Sequence, residues 1–370
     1  MKIVIDARIY GPEFGGLGRY NQAFLENLSL QDHLNEYIVL LQEVPKDHNW
    51  PSNWQIKICT YHWYSWQEQV FLPLLLKRLK PDLVHFTHFN VPIFYRGKFI
   101  VTIHDLIMTK FPSQRASTLN RLMFKLKRIG YQLAIKQAVL KAQKIIAVSQ
   151  FTARDIKEYF ELTTQQAKKI AVIYEGVSLV PAEGGAVTNL PKKFFLYVGN
   201  TYPHKNLEFL IKTFKDWLKI YPDYYLYLLG SRNYFYNRLE AWAKDFMAGQ
   251  SDRVVFTGFV PDSELTHYYQ AATAYIFPSL YEGFGLPPLE ACAHGLPVLA
   301  SQSSCLPEIL AEAALYFDPK NQTDLLNKME IIVKSNDLRA RLKERGLEQI
   351  KKYSWQKMAF SIRELYLSLK

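Results

Sequence analysis

Short apolar runs alternate with segments of helical period along most of the chain. In the first half, strands are predicted at 2–6, 37–41, 55–59, 83–86, 99–103, 144–148 and 170–173. Between them apolar residues recur at helical spacing near 17–30, 66–80, 116–143 and 150–160. Ser149, after one of these strands and before one of these helices, is a predicted N-cap. The segment 180–191 (VPAEGGAVTNLP) breaks the pattern with two prolines and paired glycines, and reads as a linker. Beyond it the alternation restarts, with strands at 194–199, 224–230, 253–258, 274–278 and 297–301. Helices are expected from about 206 and about 234, and near 262–271 and 286–295.

Strand–helix alternation on both sides of a linker predicts an α/β protein of two doubly wound, Rossmann-like domains facing across a cleft. The expected divisions are 1–179, the linker 180–191, and 192–353. In such sheets ligands bind beyond the carboxyl ends of the strands, so useful residues should follow strands directly.

Composition removes several classes. With 49% apolar and 21% charged residues the chain buries large cores, which excludes a mainly disordered protein. Cys59, Cys292 and Cys305 form no CxxC pair, which argues against a disulfide framework and a structural zinc site and favours a reducing compartment. No signal peptide is expected, because the first strand opens at once at MKIVID. The longest apolar run, Val70 to Leu76, is far short of the ~20 residues that span a bilayer. A cytoplasmic protein, soluble or peripheral at the membrane's inner face, is expected.

The net charge of +11 is uneven. Residues 1–180 hold 23 basic and 14 acidic side chains; residues 181–370 hold 22 and 20. Between Asp105 and Asp155 there is no acid at all, while ten basic residues from Lys110 through Arg115 and Arg121 to Arg154 fall there. A solvated helix face, a surface for anionic lipid headgroups and a nucleic-acid surface all fit such a window. No nucleic-acid-binding module accompanies it.

Four constellations follow strands. Gly15-Gly16-Leu17-Gly18-Arg19 opens a helix after the first strand, where backbone N–H groups and Arg19 favour an anion; a glycine-rich packing turn is the other reading. His104-Asp105 ends the strand at 99–103, where a histidine either donates to a sugar hydroxyl, takes part in proton transfer or is structural. Lys205, after the strand at 194–199, is placed to neutralise a phosphate, and Arg232 follows the next strand. The most specific is Glu282-Gly283-Phe284-Gly285-Leu286-Pro287-Pro288-Leu289-Glu290, in which two carboxylates stand eight positions apart, about two helical turns.

With EGFGLPPLE in view, and with IDARIYGPEFGGLGRY, VTIHDL, IAVSQFTARDI, VGNTYPHKNL and VVFTGFVPDSEL in order before it, the chain resembles the retaining glycosyltransferases of family 4, which have the GT-B fold. It looks most like the bacterial branch that builds O-antigen and related surface glycans, often with mannose. The resemblance implies that Glu282 binds hydroxyls of the donor sugar and Glu290 the ribose. Backbone groups of Gly283, Phe284, Gly285 and Leu286 would approach sugar and phosphate. Lys205 would neutralise the diphosphate with help from the Gly16–Gly18 loop, and His104 would touch the sugar from the opposite domain. It also implies that the last helix, about 354–370, returns to the first domain.

The chain departs from the family where many relatives carry arginine: Asn200 follows the glycine, and His204 precedes Lys205. Arg232 or Arg19 would then supply phosphate charge. No Asp has another two positions away, so cations and helix N-termini would carry the leaving diphosphate without a metal. The expected partners are a nucleotide sugar, GDP-mannose favoured over UDP- or dTDP-sugars, and a glycan or lipid-linked acceptor. The aromatic stretch 61–80 and the basic window 106–154 would meet that acceptor and an anionic membrane. A non-catalytic glycan-assembly partner of the same fold is the alternative outside enzymes. No cofactor is expected.

Overall fold

The computed structural model describes residues 1–45, 49–111, 121–178 and 190–370; of residues 121–124 and 126 it describes the backbone alone. Arg115 and residues 180–189 of the predicted linker lie outside the described residues. The chain divides into two compact units.

The first unit holds a seven-stranded parallel sheet of order β3-β2-β1-β4-β5-β6-β7. Its strands are β1 (Lys2–Asp6), β2 (Glu36–Leu41), β3 (Trp54–Ile58), β4 (Leu83–Phe86), β5 (Phe99–Ile103), β6 (Lys144–Ala147) and β7 (Ile170–Val172). The helices between them are α1 (Gly15–Ser29), α2 (Trp66–Leu79), α3 (Ile107–Lys110), α4 (Arg121–Lys141), α5 (Gln150–Tyr159) and α6 (Thr164–Ala167). Helices cover both faces, which is why the strands read as unbroken apolar runs. Within β1, Val4 packs into one core while Ile3 and Ile5 pack into the other. Ser149 caps α5, its side chain accepting from the Thr152 N–H.

The second unit repeats the architecture with six parallel strands in the order β10-β9-β8-β11-β12-β13. These are β8 (Phe194–Val198), β9 (Tyr225–Leu229), β10 (Val254–Gly258), β11 (Ala274–Phe277), β12 (Val298–Ser301) and β13 (Ala314–Phe317). Its helices are α7 (Leu207–Trp217), α8 (Tyr234–Phe246), α9 (Asp262–Ala271), α10 (Leu286–Ala293), α11 (Leu306–Leu310), α12 (Gln322–Lys334) and α13 (Asn336–Ile350). The elements from β13 through α13 were not anticipated. Their signals are local caps: the Asn321 side chain accepts from Asp324 N–H, and the Ser335 side chain from Leu338 N–H.

The last helix, α14 (Trp355–Leu367), belongs to the first unit. Met358, Ala359, Ile362 and Tyr366 complete the core that contains Phe24 and Leu28 of α1. The Tyr366 hydroxyl lies 2.6 Å from Nδ1 of His85 in β4, whose Nε2 lies 2.9 Å from the Thr102 hydroxyl in β5. Burial, reinforced by nearby His104, pushes His85 down to about 3 and keeps it neutral. Among the described residues no helix is long and apolar enough to cross a membrane.

Candidate functional site

Each sheet reverses its direction of growth once. In the second unit the reversal falls between β8 and β11, neighbours in the sheet but far apart in sequence. Crevices form beyond the strand ends at such points. After β8 the chain passes Gly199 and Asn200 and makes a short 3-10 turn, Pro203–Lys205. After β11 it runs through Ser279 to Gly285 and enters α10 at Leu286. Lys205 and Glu282, 77 residues apart, therefore meet: Lys205 Nζ donates to Glu282 Oε1 at 2.6 Å. Both are buried, at 8% and 7% exposure. The ammonium also lies 5.1 Å from the centroid of the Phe277 ring. The Glu282 N–H donates to the Ser304 hydroxyl at 2.9 Å, and Ser304 holds a left-handed backbone at φ +52°.

Gly285 caps α10 at φ +95°, a conformation that favours glycine, and a Cβ there would stand 2.9 Å from Leu306. Below the loop, Cys305 Sγ contacts the Phe284 carbonyl at 3.2 Å. Phe284 and Leu286 are themselves buried, with Phe284 edge-on to Tyr353. Gly283 is buried beside them. Glu290 lies inside α10, half-buried, and accepts from the Tyr269 hydroxyl at 3.3 Å. Helical arithmetic between the two glutamates needs correcting here, because only the stretch from Leu286 onward is helical. Glu282 belongs to the loop, and that is what lets it turn toward Lys205.

Arg232, the other cation proposed in this unit, has an acidic partner of its own. Arg232 is about half exposed, donates to Glu240 at 2.8 Å and stacks on Tyr236. His204 is held neutral: burial, and then the charge of Lys205, push it down to about 4. Asn200 Oδ1 accepts from the Tyr202 N–H.

In the first unit the reversal falls between β1 and β4. Gly16 is exposed at the start of α1, and Arg19 is half-buried one turn on. Gly18 is needed by the preceding turn, since a Cβ there would lie 1.9 Å from the Gly11 carbonyl oxygen, whose own N–H donates back to Gly18. His104 follows β5 and is held on both sides. Its Nε2 donates to the Thr87 carbonyl at 3.0 Å, and Nδ1 lies 3.0 Å from Glu175 Oε1. The imidazole and the Tyr20 ring meet at close to a right angle, centroid to centroid 4.6 Å.

Sequence reasoning missed Glu175, although it too follows a strand, β7. It also missed a buried network after β1. Arg8 grips Asp6 with two hydrogen bonds, donates to Glu68 Oε1 at 2.6 Å and reaches the Tyr61 carbonyl. The other Glu68 oxygen accepts from Tyr64 N–H and Asn90. Burial disfavours the charge on Arg8, but Asp6 and Glu68 outweigh it and raise its pKa. The network anchors residues 61–68, where His62, Tyr64 and Trp66 are exposed and Trp63 packs edge-on against Phe14.

Residues 14–180 match the family Glycosyltransferase Family 4, and residues 185–349 match Glycosyl transferases group 1. O-antigen chain mannosyltransferase RfbU of Salmonella typhimurium is 28% identical over 261 residues, 70% of this chain and 67% of that protein. O-antigen chain mannosyltransferase B of Escherichia coli is 27% identical over 289 residues, 76% and 73% of the two chains. Among solved structures, sucrose-phosphate synthase of Thermosynechococcus elongatus is similar with a TM-score of 0.76 at 19% identity, over 100% of this chain and 99% of that one. That likeness carries the fold, two parallel sheets each flanked by helices in the GT-B manner. With both halves matched in order and the EGFGLPPLE loop set at a strand crossover, the chain belongs to glycosyltransferase family 4: it is a glycosyltransferase acting on a nucleotide sugar, related to the bacterial O-antigen mannosyltransferases.

Proposed function

We propose that this enzyme transfers mannose from GDP-mannose, with retention and without a metal, to a glycan or lipid-linked acceptor in surface polysaccharide synthesis. The observation that carries the chemistry is the pair Lys205 and Glu282 at the β8/β11 crossover, beside the N-terminus of α10. Mannose rests on the two O-antigen mannosyltransferase relatives.

Departure of a nucleoside diphosphate needs positive charge where the bridging oxygen separates. On this reading Lys205 supplies a full cation, and the N–H groups of Gly283 to Leu286 at the α10 N-terminus supply partial charge. Glu282 takes sugar hydroxyls and Glu290 the ribose. Arg232 is a poor candidate for the phosphate while it holds Glu240. In the first unit the glycine turn with Arg19, and His104 braced by Glu175, are assigned to the same reaction.

A panel of GDP, UDP, ADP and dTDP with their sugars, read by thermal unfolding in EDTA, tests this. A ligand at 100 times its Kd stabilises by about 2.7 kcal/mol, several degrees at roughly 2–4 °C per kcal/mol. Selective shifts with GDP and GDP-mannose are expected. A selective UDP shift replaces the donor, no shift at all favours the non-catalytic partner, and turnover lost in EDTA and restored by Mg²⁺ removes metal independence.

The membrane partner is assigned to α4. Lys125, Arg128, Ile129, Leu133, Lys136 and Leu140 are all exposed and, at about 100° per residue, share one face. Ile129 and Leu133 are each more than half exposed, which a purely solvated basic face does not explain. Binding to anionic vesicles is the readout.

A further inference from the structure

Lys205 and Glu282 are buried, oppositely charged and in direct contact. On the donor-site reading above, on which this inference rests, each group has a second partner waiting. Lys205 is wanted by the diphosphate, and Glu282 by the sugar hydroxyls. One ammonium cannot give its full charge to both a carboxylate and a phosphate at once.

We infer that Glu282 is a specificity-determining residue that discriminates the intact nucleotide sugar from the free nucleoside diphosphate, by competing for Lys205 when no sugar occupies it. With the sugar present, its hydroxyls engage the carboxylate and release the ammonium to the phosphates. Once the sugar has left, the carboxylate recaptures the ammonium and opposes the product. The free diphosphate carries about one more negative charge than the nucleotide sugar, because its terminal phosphate ionises with a second pKa near 6. A cationic site without Glu282 would therefore hold product more tightly than donor. The carboxylate reverses that order.

The geometry supports the exchange. Glu282 sits in a loop and not in α10, so its side chain can re-aim without moving a helix. Its backbone is fixed by the Ser304 hydroxyl, which leaves the carboxylate as the part that moves. Lys205 ends a 3-10 turn and rests beside the Phe277 ring, a support that persists when the carboxylate lets go.

The test is titration calorimetry of GDP and GDP-mannose, with UDP and UDP-glucose run beside them, on the wild type, E282Q, K205M and the double variant. E282Q is expected to bind the free diphosphate about tenfold more tightly, a factor that corresponds to about 1.4 kcal/mol. The same variant is expected to bind the nucleotide sugar about tenfold more weakly, having lost charge-assisted bonds to the hydroxyls. In the K205M background the gain for free diphosphate should vanish, since there is no ammonium to release. E282D, whose shorter side chain draws back from Lys205, should move both affinities in the same directions by less, and serves where E282Q fails to fold by circular dichroism. Weakening of both ligands alike, or an unchanged diphosphate affinity in a folded variant, overturns the inference while leaving the donor site in place. A wild type that binds neither nucleotide nor nucleotide sugar overturns the donor-site reading and this inference with it.

Discussion

The two units share a doubly wound parallel sheet, yet they treat the ends of their central strands in opposite ways. In the first, the ends of β1, β4 and β5 are closed by polar groups that satisfy one another: Asp6, Arg8, Glu68 and Asn90 in one network, Thr87, His104 and Glu175 in another. In the second, the corresponding place is lined by backbone at Gly199, Gly283 and Gly285, with one buried ion pair at its centre. A fully satisfied network specifies one geometry and holds it. A single pair beside backbone amides can be exchanged for a charged ligand. The first unit thus holds its loops and site residues, His104 among them, in one place, and the second can trade partners.

That contrast can be broken by substitution. Arg8→Met leaves Asp6 and Glu68 buried without their cation, which should cost about 3–5 kcal/mol. Hydrogen exchange read on β1 and β4 should accelerate while β8 and β11 hold. Equal acceleration in both sheets would mean the network does not belong to the first unit alone.

Acid sharpens it next. His85 and His88 in the first unit are both pushed down to about 3 by burial and then by His104, and His204 in the second to about 4. In the unfolded chain each titrates near 6.5, so between that value and the folded one the unfolded state binds more protons. Stability therefore falls as pH drops from about 6.5, with up to about 1.4 kcal/mol per pH unit from each histidine. With two such groups against one, the first unit should loosen first, and His85→Gln should flatten its slope. Identical pH slopes for the two sheets would refute this.

The smallest effect concerns surfaces. Flotation should carry the protein with vesicles containing phosphatidylglycerol and not with neutral ones, each basic residue near the surface contributing about 1 kcal/mol. Ile129→Glu with Leu133→Glu should abolish it without altering nucleotide binding. Flotation that survives the pair would move the contact off α4.

Much of this was legible in sequence because the fold repeats one local rule. Apart from β13, both sheets follow from apolar runs separated by helical periods, with strand limits shifted by at most about one residue. The loop around Glu282 stood out because glycines, a preceding strand and a following helix coincide. What was hidden depends on distance in sequence. Nothing near Glu175 announces that it will face His104, 71 residues away, and nothing near Arg8 names Glu68, 60 residues away. The Lys205–Glu282 contact was likewise out of reach, although each residue had been singled out. Parallel pairing across a crossover creates such neighbours, and periodicity carries no record of it.

The placement of α14 bears on how the chain is made. A ribosome delivers β1 to β7 first, but the helix that covers Phe24 and Leu28 and meets His85 comes only after the whole second unit. At about 5–20 residues per second, roughly ten to forty seconds separate them. During that interval the second unit can close, whereas the older half waits with one apolar face of its sheet covered only in part, by α1, until Tyr366 is added. Synthesis order and folding order are reversed, and chaperone demand should fall on the half that was born first.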